Sequence, residues 1–243
     1  EMEKDVPLAY EKFGWYGMIH RRKNNWKRSR MYGGLGLTYN PDYIFDMPEH
    51  AQCLGQPRSN ITLKQDTWVK QTVEAKYEGQ SSLKNTYNDC LGLRIPTAVT
   101  QFRSFKVLFD MIGFNLIQGR MAEIRPKIKN PEHFESVKEF HWHIDEDNEF
   151  VTRLLIPVVY SEDYYIEFAE TGNKIIFEPG YAYHWDTRKM HRWGFNYSPS
   201  IQNRTCIVLG ISPWLTYEND TWSANKYCNK VHPTDMMARR YII

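Results

Sequence analysis

The stretch His141-Trp142-His143-Ile144-Asp145 is the part of this sequence that decides its interpretation. In an extended strand, successive side chains point to opposite faces. His141, His143 and Asp145 therefore share one face, and Trp142 and Ile144 share the other. Burying two histidines and an aspartate on one face costs free energy unless they are hydrogen-bonded, paired with a charge or bound to a metal ion. The stretch predicts a strand that carries potential metal ligands on one face.

A histidine further along the chain extends this ligand set. Two neutral imidazoles and one carboxylate can occupy one face of an octahedral metal and leave the opposite positions open, as in non-haem Fe(II) oxygenases. His143 and Asp145 give the spacing His-x-Asp, and His191 follows them. His184 is the alternative third ligand. His141 is a candidate to support the ligands or to line a substrate pocket.

Composition limits the class of protein and its partners. The chain has 243 residues, of which 15% are aromatic, and its net charge is only +2. This length favours a single domain, and so small a charge creates no general attraction for nucleic acid or a membrane. The basic run at 20–30 fits a solvated face better than a phosphate site. The four cysteines lie far apart and form no Cys-x-x-Cys pair, so we expect reduced thiols in a cytoplasmic protein.

The hydrophobic pattern changes along the chain. Residues 1–60 show weak periodicity, with a turn-rich segment around Gly33 and Gly34, and apolar residues at helical spacing predict helices at 62–77 and 97–112. Short apolar segments separated by turn residues then predict a mainly β core of the jelly-roll type. The predicted strands begin near residue 116 and include 138–145, 150–160, 164–169, 174–177, 190–197 and 204–211. A single domain, 1–243, would hold N-terminal loops and helices in 1–115, the core in 116–215 and a C-terminal extension in 216–243.

Two arginines lie in apolar strands. Arg153 precedes Leu-Leu-Ile-Pro-Val, and Arg204 opens the segment Thr-Cys-Ile-Val-Leu-Gly. An arginine in such a strand needs an anion or well-placed hydrogen-bond acceptors, and its planar fork can meet a carboxylate through two parallel hydrogen bonds. If 190–197 is a strand, Trp193 and Phe195 share the face of His191 and are candidates to shape a pocket.

The stretch 119–214, roughly two fifths of the chain, resembles the Fe(II)/2-oxoglutarate-dependent dioxygenases of the double-stranded β-helix fold. It is most similar to the aspartyl/asparaginyl β-hydroxylase-like group, which includes bacterial proline cis-hydroxylases. The elements that match, in order, are His143-x-Asp145, Arg153-Leu-Leu-Ile-Pro, Pro179-Gly180, His191 with Asn196-x-Ser198, and Arg204.

The resemblance implies a cupin-like double-stranded β-helix with N-terminal helices packed outside the sheet. His143, Asp145 and His191 would be the catalytic Fe(II) ligands. Arg204 would bind the far carboxylate of 2-oxoglutarate, and Arg153 would help at the near end. With O2, such an enzyme hydroxylates an amino acid, a peptidyl residue or another small metabolite and releases succinate and CO2. The presence of Asp145 favours hydroxylation over halogenation.

Two other classes of function fit the same barrel. One is a non-enzymatic cupin-like binding protein, and the other is a metal-dependent cupin isomerase without redox chemistry. Arg204 discriminates against both, because neither needs a cation aimed at a dicarboxylate. A free amino acid, a peptidyl Asp or Asn, another small metabolite and a modified base all stay open as substrates. The nearly neutral charge favours a small molecule or peptide over nucleic acid, and we expect no membrane partner. The oligomeric state is left open by the sequence.

Overall fold

A computed structural model describes residues 1–22, 25–39, 95–112, 116–126, 142–144, 152–159, 161–196, 201–211, 213–218, 221–227 and 231. Its helices are α1 (Met2–Phe13) and α2 (Arg103–Ile112), with a 3-10 turn at Ala98–Gln101. Its strands are β1 (Tyr16–Arg22), β2 (Asn25–Gly36), β3 (Thr38–Tyr39), β4 (Ile95–Pro96), β5 (Leu116–Ile124), β6 (Thr152–Val159), β7 (Tyr164–Phe168), β8 (Lys174–Ile175), β9 (Tyr183–His184), β10 (His191–Phe195), β11 (Arg204–Ile211), β12 (Leu215–Glu218) and β13 (Thr221–Ala224). The fold is mainly β, with antiparallel pairing between neighbouring strands. Within these ranges, no helix is both long and apolar enough to cross a membrane.

The chain divides into two compact units. Unit 1 comprises Glu1–Ile112 with Ile117–Glu123, and unit 2 comprises Gly113–Leu116 with Ile124–Ile243. The organisation as one domain with three segments stays a prediction.

Unit 1 contains a sheet in the order β1-β2-β5, in which β1 and β2 are antiparallel. Gly34 of β2 has φ +150, and a Cβ at this position would lie 1.8 Å from the carbonyl oxygen of Met121 in β5. Only glycine allows the two backbones to approach so closely. The glycines predicted to form a turn-rich segment are therefore part of a buried strand.

The helices of unit 1 pack on each other outside this sheet. The rings of Phe13 in α1 and Phe102 lie 6.4 Å apart in an edge contact. The carboxylate of Asp5 accepts hydrogen bonds from the backbone N–H of Ser104 at 3.0 Å and from its hydroxyl. Asp5 thus satisfies one of the backbone donors at the start of α2, which have no partner within the helix itself.

Unit 2 contains two sheets and a hairpin. One sheet has the order β11-β6-β9, the other has the order β10-β7-β8, and β12 pairs with β13. All eight residues of β11 are buried. The chain passes from β6 to β7 and β8, returns to β9, crosses to β10 and returns to β11, so consecutive segments alternate between the two sheets.

The observed elements correct several sequence predictions. The helix expected at 62–77 lies outside the described residues. The helix expected at 97–112 begins as a 3-10 turn and becomes α-helical only at Arg103. The weak hydrophobic periodicity of 1–60 did not predict α1, β1 or β2, which the structure shows in this segment. The segment 216–243, expected as a polar C-terminal extension, contains most of the β12–β13 hairpin. Of the strand predicted at 138–145, the described residues 142–144 form a single β-bridge, at His143.

Candidate functional site

Strand β10 directs its alternate side chains to two faces of unit 2. His191 lies opposite Phe168 of β7, and Trp193 lies opposite Ile166, which is completely buried. Cross-strand partners point to the same face, so His191 and Trp193 face the interior of unit 2. His191 itself is only 1% exposed. The strand predicted at 190–197 is present over 191–195, and alternation along it places His191 and Trp193 on the predicted shared face.

The opposite face of β10 is held by an ion pair. Arg192 lies across from Glu167, and its guanidinium contacts that carboxylate at 2.8 Å. The same guanidinium lies 4.5 Å from the ring centroid of Trp142. The guanidinium of Arg192 and the carboxylate of Glu167 therefore pair with each other on the outer face, opposite to the face that carries His191.

His143 and His191 are brought together by their backbones. The N–H of each donates to the carbonyl of the other, at 2.9 and 2.8 Å, and the ring centroids lie 4.6 Å apart. Two imidazoles at right angles on one metal, with bonds of about 2.1 Å and ring radii of roughly 1.1 Å, have centroids about 4.5 Å apart. The spacing of the two rings therefore fits a shared metal ion.

The ring of His191 is oriented by the turn that precedes β10. Its Nδ1 lies 2.8 Å from the carbonyl oxygen of Lys189. A carbonyl only accepts, so Nδ1 carries the proton and Nε2 of the neutral ring keeps its lone pair. Histidines that bind metals typically donate the other ring N–H in this way. The ammonium of Lys189 bonds to Glu170 at 2.9 Å, and this hydrogen bond raises the pKa of Lys189.

An aromatic cluster lies beside His191. The Trp185 ring lies 6.2 Å from the His191 ring and 6.3 Å from the Trp193 ring, both as edge contacts. Phe177 packs against Trp185 at 5.8 Å and against Trp193 at 5.5 Å, and Tyr183 packs on Phe177 at 4.6 Å. These rings exclude water from one side of the imidazole and lower the local dielectric, which strengthens charge interactions there.

Arg204 extends this cluster with a buried positive charge. The residue is 5% exposed, and its guanidinium carbon lies 3.9 Å from the centroid of the Trp193 ring. Within the described part of the chain, its Nη2 is buried and has no hydrogen-bond partner. A buried guanidinium group with an unused donor is costly unless an anion meets it. The stack on Trp193 fixes the plane in which a carboxylate could be received.

Arg153 lies at the other end of the same strand pair. It faces Gly210 across β6 and β11, six residues from Arg204 along β11, which corresponds to about 20 Å. The two arginines are thus not neighbours on their backbones. The role predicted for Arg153 at the near end of a dicarboxylate stays a prediction.

His184 occupies a different environment from His191. Its Nε2 lies 2.7 Å from the hydroxyl of the buried Thr152, and it pairs with Leu154 in the sheet. Its sequence neighbours Tyr183 and Trp185 instead contact Phe177. The structure therefore pairs His143 with His191, and the choice of His191 over His184 as a metal ligand stays a prediction.

Asp145 and His141, the remaining residues of the predicted ligand face, lie outside the described residues. Among the residues that are described, no group of three or more His, Cys, Asp or Glu side chains is arranged to hold a metal. Within the described residues, the observations that fit a metal are the spacing of two imidazole rings and the tautomer of His191, whereas the unused donor of Arg204 fits an anion. The third ligand is predicted from the sequence alone.

Trp185 is the residue of this site that sequence reasoning missed. It follows His184 in a segment interpreted only as a strand and a turn. The available signal was the alternation Tyr183-His184-Trp185, which places two aromatic side chains on the face opposite to His184. Its contact with His191 depends on a tertiary arrangement that this short pattern does not encode.

Comparisons with known proteins found few similarities. No family model matches the sequence, and no curated protein matches it. Among solved structures, the chain is similar to that of NgTET1 in complex with 5mC DNA, with a TM-score of 0.27 and 14% sequence identity. The match covers 57% of this chain and 53% of that one, so this chain spans about half of that protein's length. A likeness of this size assigns neither a fold nor a function.

Proposed function

We propose that this chain is an Fe(II)- and 2-oxoglutarate-dependent dioxygenase that hydroxylates an amino acid, a peptidyl residue or another small metabolite. The observation that carries the proposal is the buried guanidinium of Arg204, whose Nη2 donor has no partner among the described residues, on the same aromatic cluster as the His143–His191 pair. A metal-binding pair and a receptor for a carboxylate are the two features that a 2-oxoglutarate site needs. Neither a cupin-like binding protein nor a non-redox isomerase requires this second feature.

His143, His191 and Asp145 would hold the Fe(II) ion. With O2 and 2-oxoglutarate bound there, the metal would supply oxidative decarboxylation, which releases succinate and CO2 and places one oxygen atom on the substrate. The chain supports this by holding Nδ1 of His191 against the carbonyl of Lys189, which makes Nε2 the nitrogen that would bind the metal. A preset tautomer avoids the cost of reorienting the ring when the metal binds.

Arg204 would bind the far carboxylate of 2-oxoglutarate. Its stack on Trp193 holds the guanidinium plane, and burial strengthens the attraction to a carboxylate. Phe177 and Trp185 pack beside this stack and keep water from competing for the donors. Arg153 remains the candidate for the near end of the cosubstrate.

We further propose that unit 2 is a double-stranded β-helix of the jelly-roll type. The proposal is supported by the two sheet orders β11-β6-β9 and β10-β7-β8 and by the passage of consecutive segments between them. His143 extends the second sheet through its bridge to His191. Such a fold places ligands from different segments at one end of a barrel.

The substrate class follows from weaker features. The net charge of +2 provides no general field for a polyanion, and the basic run at 20–30 is local. Aromatic rings beside His191 suit a small molecule or a peptide side chain. We therefore propose an amino acid, a peptidyl residue or a small metabolite, with neither nucleic acid nor a membrane as partner.

The test is an anaerobic titration of the metal-free protein with Fe(II) and then with 2-oxoglutarate. We expect a metal-to-ligand charge-transfer band in the visible range, which a binding protein or an isomerase lacks. Admission of O2 should then yield succinate. Absence of the band at millimolar 2-oxoglutarate, in protein shown to have bound Fe(II), would contradict the proposed function.

A further inference from the structure

Trp185 carries a buried donor that its surroundings do not use. Within the described part of the chain, its Nε1 is inaccessible to solvent and has no hydrogen-bond partner. An indole N–H can only donate, and a buried donor without an acceptor destabilises the fold. Native proteins keep few such groups, and each calls for an explanation, such as a ligand that supplies the acceptor.

The surroundings of Trp185 indicate where that acceptor would lie. Its ring contacts His191 at 6.2 Å on one side and Trp193 at 6.3 Å on another. Trp193 in turn carries Arg204, whose Nη2 is the second unused donor of this cluster. Within the residues that the structure describes, two buried donors without partners therefore belong to one connected group of side chains that also includes a candidate metal ligand.

We infer that the indole N–H of Trp185 donates a hydrogen bond to the near carboxylate of 2-oxoglutarate, the end closest to His191. The inference rests on the proposed function. Trp185 contacts the His191 ring directly and is linked to Arg204 only through Trp193, so it belongs to the metal end of the cosubstrate. Three packed rings hold the indole in place, and a donor fixed in this way loses little entropy on binding.

With this hydrogen bond, Trp185 would bind the cosubstrate 2-oxoglutarate in preference to the product succinate. The near carboxylate of 2-oxoglutarate leaves as CO2 and the keto carbon becomes the new carboxylate of succinate, which lies one carbon further from the indole N–H that held the original group. The hydrogen bond would favour binding of 2-oxoglutarate and would be lost once decarboxylation has taken place. Release of succinate would then be easier than release of unreacted 2-oxoglutarate.

The test compares Trp185→Phe, which keeps an aromatic ring and removes the N–H, with the matched control Trp214→Phe. Trp214 also carries a buried Nε1 without a partner within the described residues, but its ring packs on Tyr227. Calorimetric titrations use each Mn(II)-loaded protein under anaerobic conditions, with 2-oxoglutarate and then succinate as probes. We expect Trp185→Phe to weaken 2-oxoglutarate about tenfold, or ~1.4 kcal/mol, and to leave succinate affinity and the control unchanged.

The outcomes of this titration distinguish a failure of the inference from a failure of the proposed function. If the unsubstituted protein binds 2-oxoglutarate and Trp185→Phe binds it equally well, the inference is overturned and the proposed function stands. Equal weakening of both probes would overturn the assignment to the near carboxylate. Failure of the unsubstituted protein to bind 2-oxoglutarate would overturn both the proposed function and the inference.

A second readout is taken on the unsubstituted protein and needs a variant only to assign the resonance. In the unsubstituted protein with 15N-labelled indoles, one Nε1–H resonance should move downfield and exchange more slowly when 2-oxoglutarate is added to protein loaded with diamagnetic Zn(II). Its assignment to Trp185 comes from its loss in Trp185→Phe or, if that variant does not fold, in Trp185→Tyr. An assigned Trp185 resonance that is unchanged by saturating 2-oxoglutarate would refute the inference.

Discussion

Replacing Arg204 by Met should weaken 2-oxoglutarate binding strongly and change the stability of the ligand-free protein much less. Met keeps an unbranched stem that can pack on Trp193, but it removes the charge and the donors. Loss of one partner of a buried charge pair costs about 3–5 kcal/mol, so affinity for 2-oxoglutarate should fall by roughly a hundredfold to a few thousandfold. Fe(II) affinity should change little, because Arg204 is not among the predicted ligands.

The stability of the ligand-free protein should respond differently. The substitution removes a stack on Trp193 worth about 0.5–2 kcal/mol and also relieves an unused buried donor that costs about 1–3 kcal/mol. These effects oppose each other, so the free energy of unfolding in urea should change by between about −1 and about +2.5 kcal/mol. Arg204→Lys keeps the charge without the planar fork and should show an intermediate loss of 2-oxoglutarate affinity.

The assay is succinate formation against 2-oxoglutarate concentration, with urea unfolding of each variant. Arg192→Met is a matched control, because Arg192 also lies over a tryptophan ring but pairs with Glu167 on the outer face. It should leave the 2-oxoglutarate curve unchanged. An Arg204→Met protein with the same curve as the unsubstituted chain would refute the assignment of the far carboxylate.

Three further predictions concern the metal, the fold and the partners. His191→Ala should abolish turnover and weaken Fe(II) binding with little loss of fold, whereas His184→Ala should retain Fe(II) binding; isothermal titration and succinate assays would show the reverse if His184 were the ligand. Gly34→Ala should destabilise unit 1 by about 3 kcal/mol or more, because the new Cβ would meet the backbone oxygen of Met121 at 1.8 Å, and an unchanged thermal midpoint would contradict this contact. The chain should show no salt-sensitive binding to DNA at micromolar concentrations despite the basic run at 20–30, and steep loss of bound DNA with added salt would contradict a small-molecule or peptide substrate.

The strands of unit 2 were the most predictable part of the fold. The segment 204–211 was predicted with the bounds that the structure shows, because an apolar run after a turn leaves few alternatives for a buried strand. The sequence predicts only that His143 and His191 bind the same metal ion. The structure adds the reciprocal backbone hydrogen bonds between the two residues. Polar or glycine-rich strands were not predictable in the same way. β1 and β2 carry a basic run and adjacent glycines, a composition that is more typical of surface loops and turns.

The unused donors could not be predicted, for a physical reason. Whether Trp185 Nε1 or Arg204 Nη2 finds a partner depends on which groups tertiary packing places within about 3 Å. Local propensity carries no such information. The sequence indicated that Arg204 was unusual because a guanidinium group opened an apolar strand, whereas an indole in an aromatic segment looks like ordinary core.

The reciprocal backbone bonds of His143 and His191 have a kinetic consequence. Because each residue donates its amide to the other, the two backbone segments cannot separate without breaking both hydrogen bonds. Chelation by this pair would then cost little entropy, because the two backbones are already held together before an ion binds. Amide hydrogen exchange at His143 and His191 would measure the opening of this bridge, and the rate of that opening would limit how fast the segment at 142–144 can detach from β10.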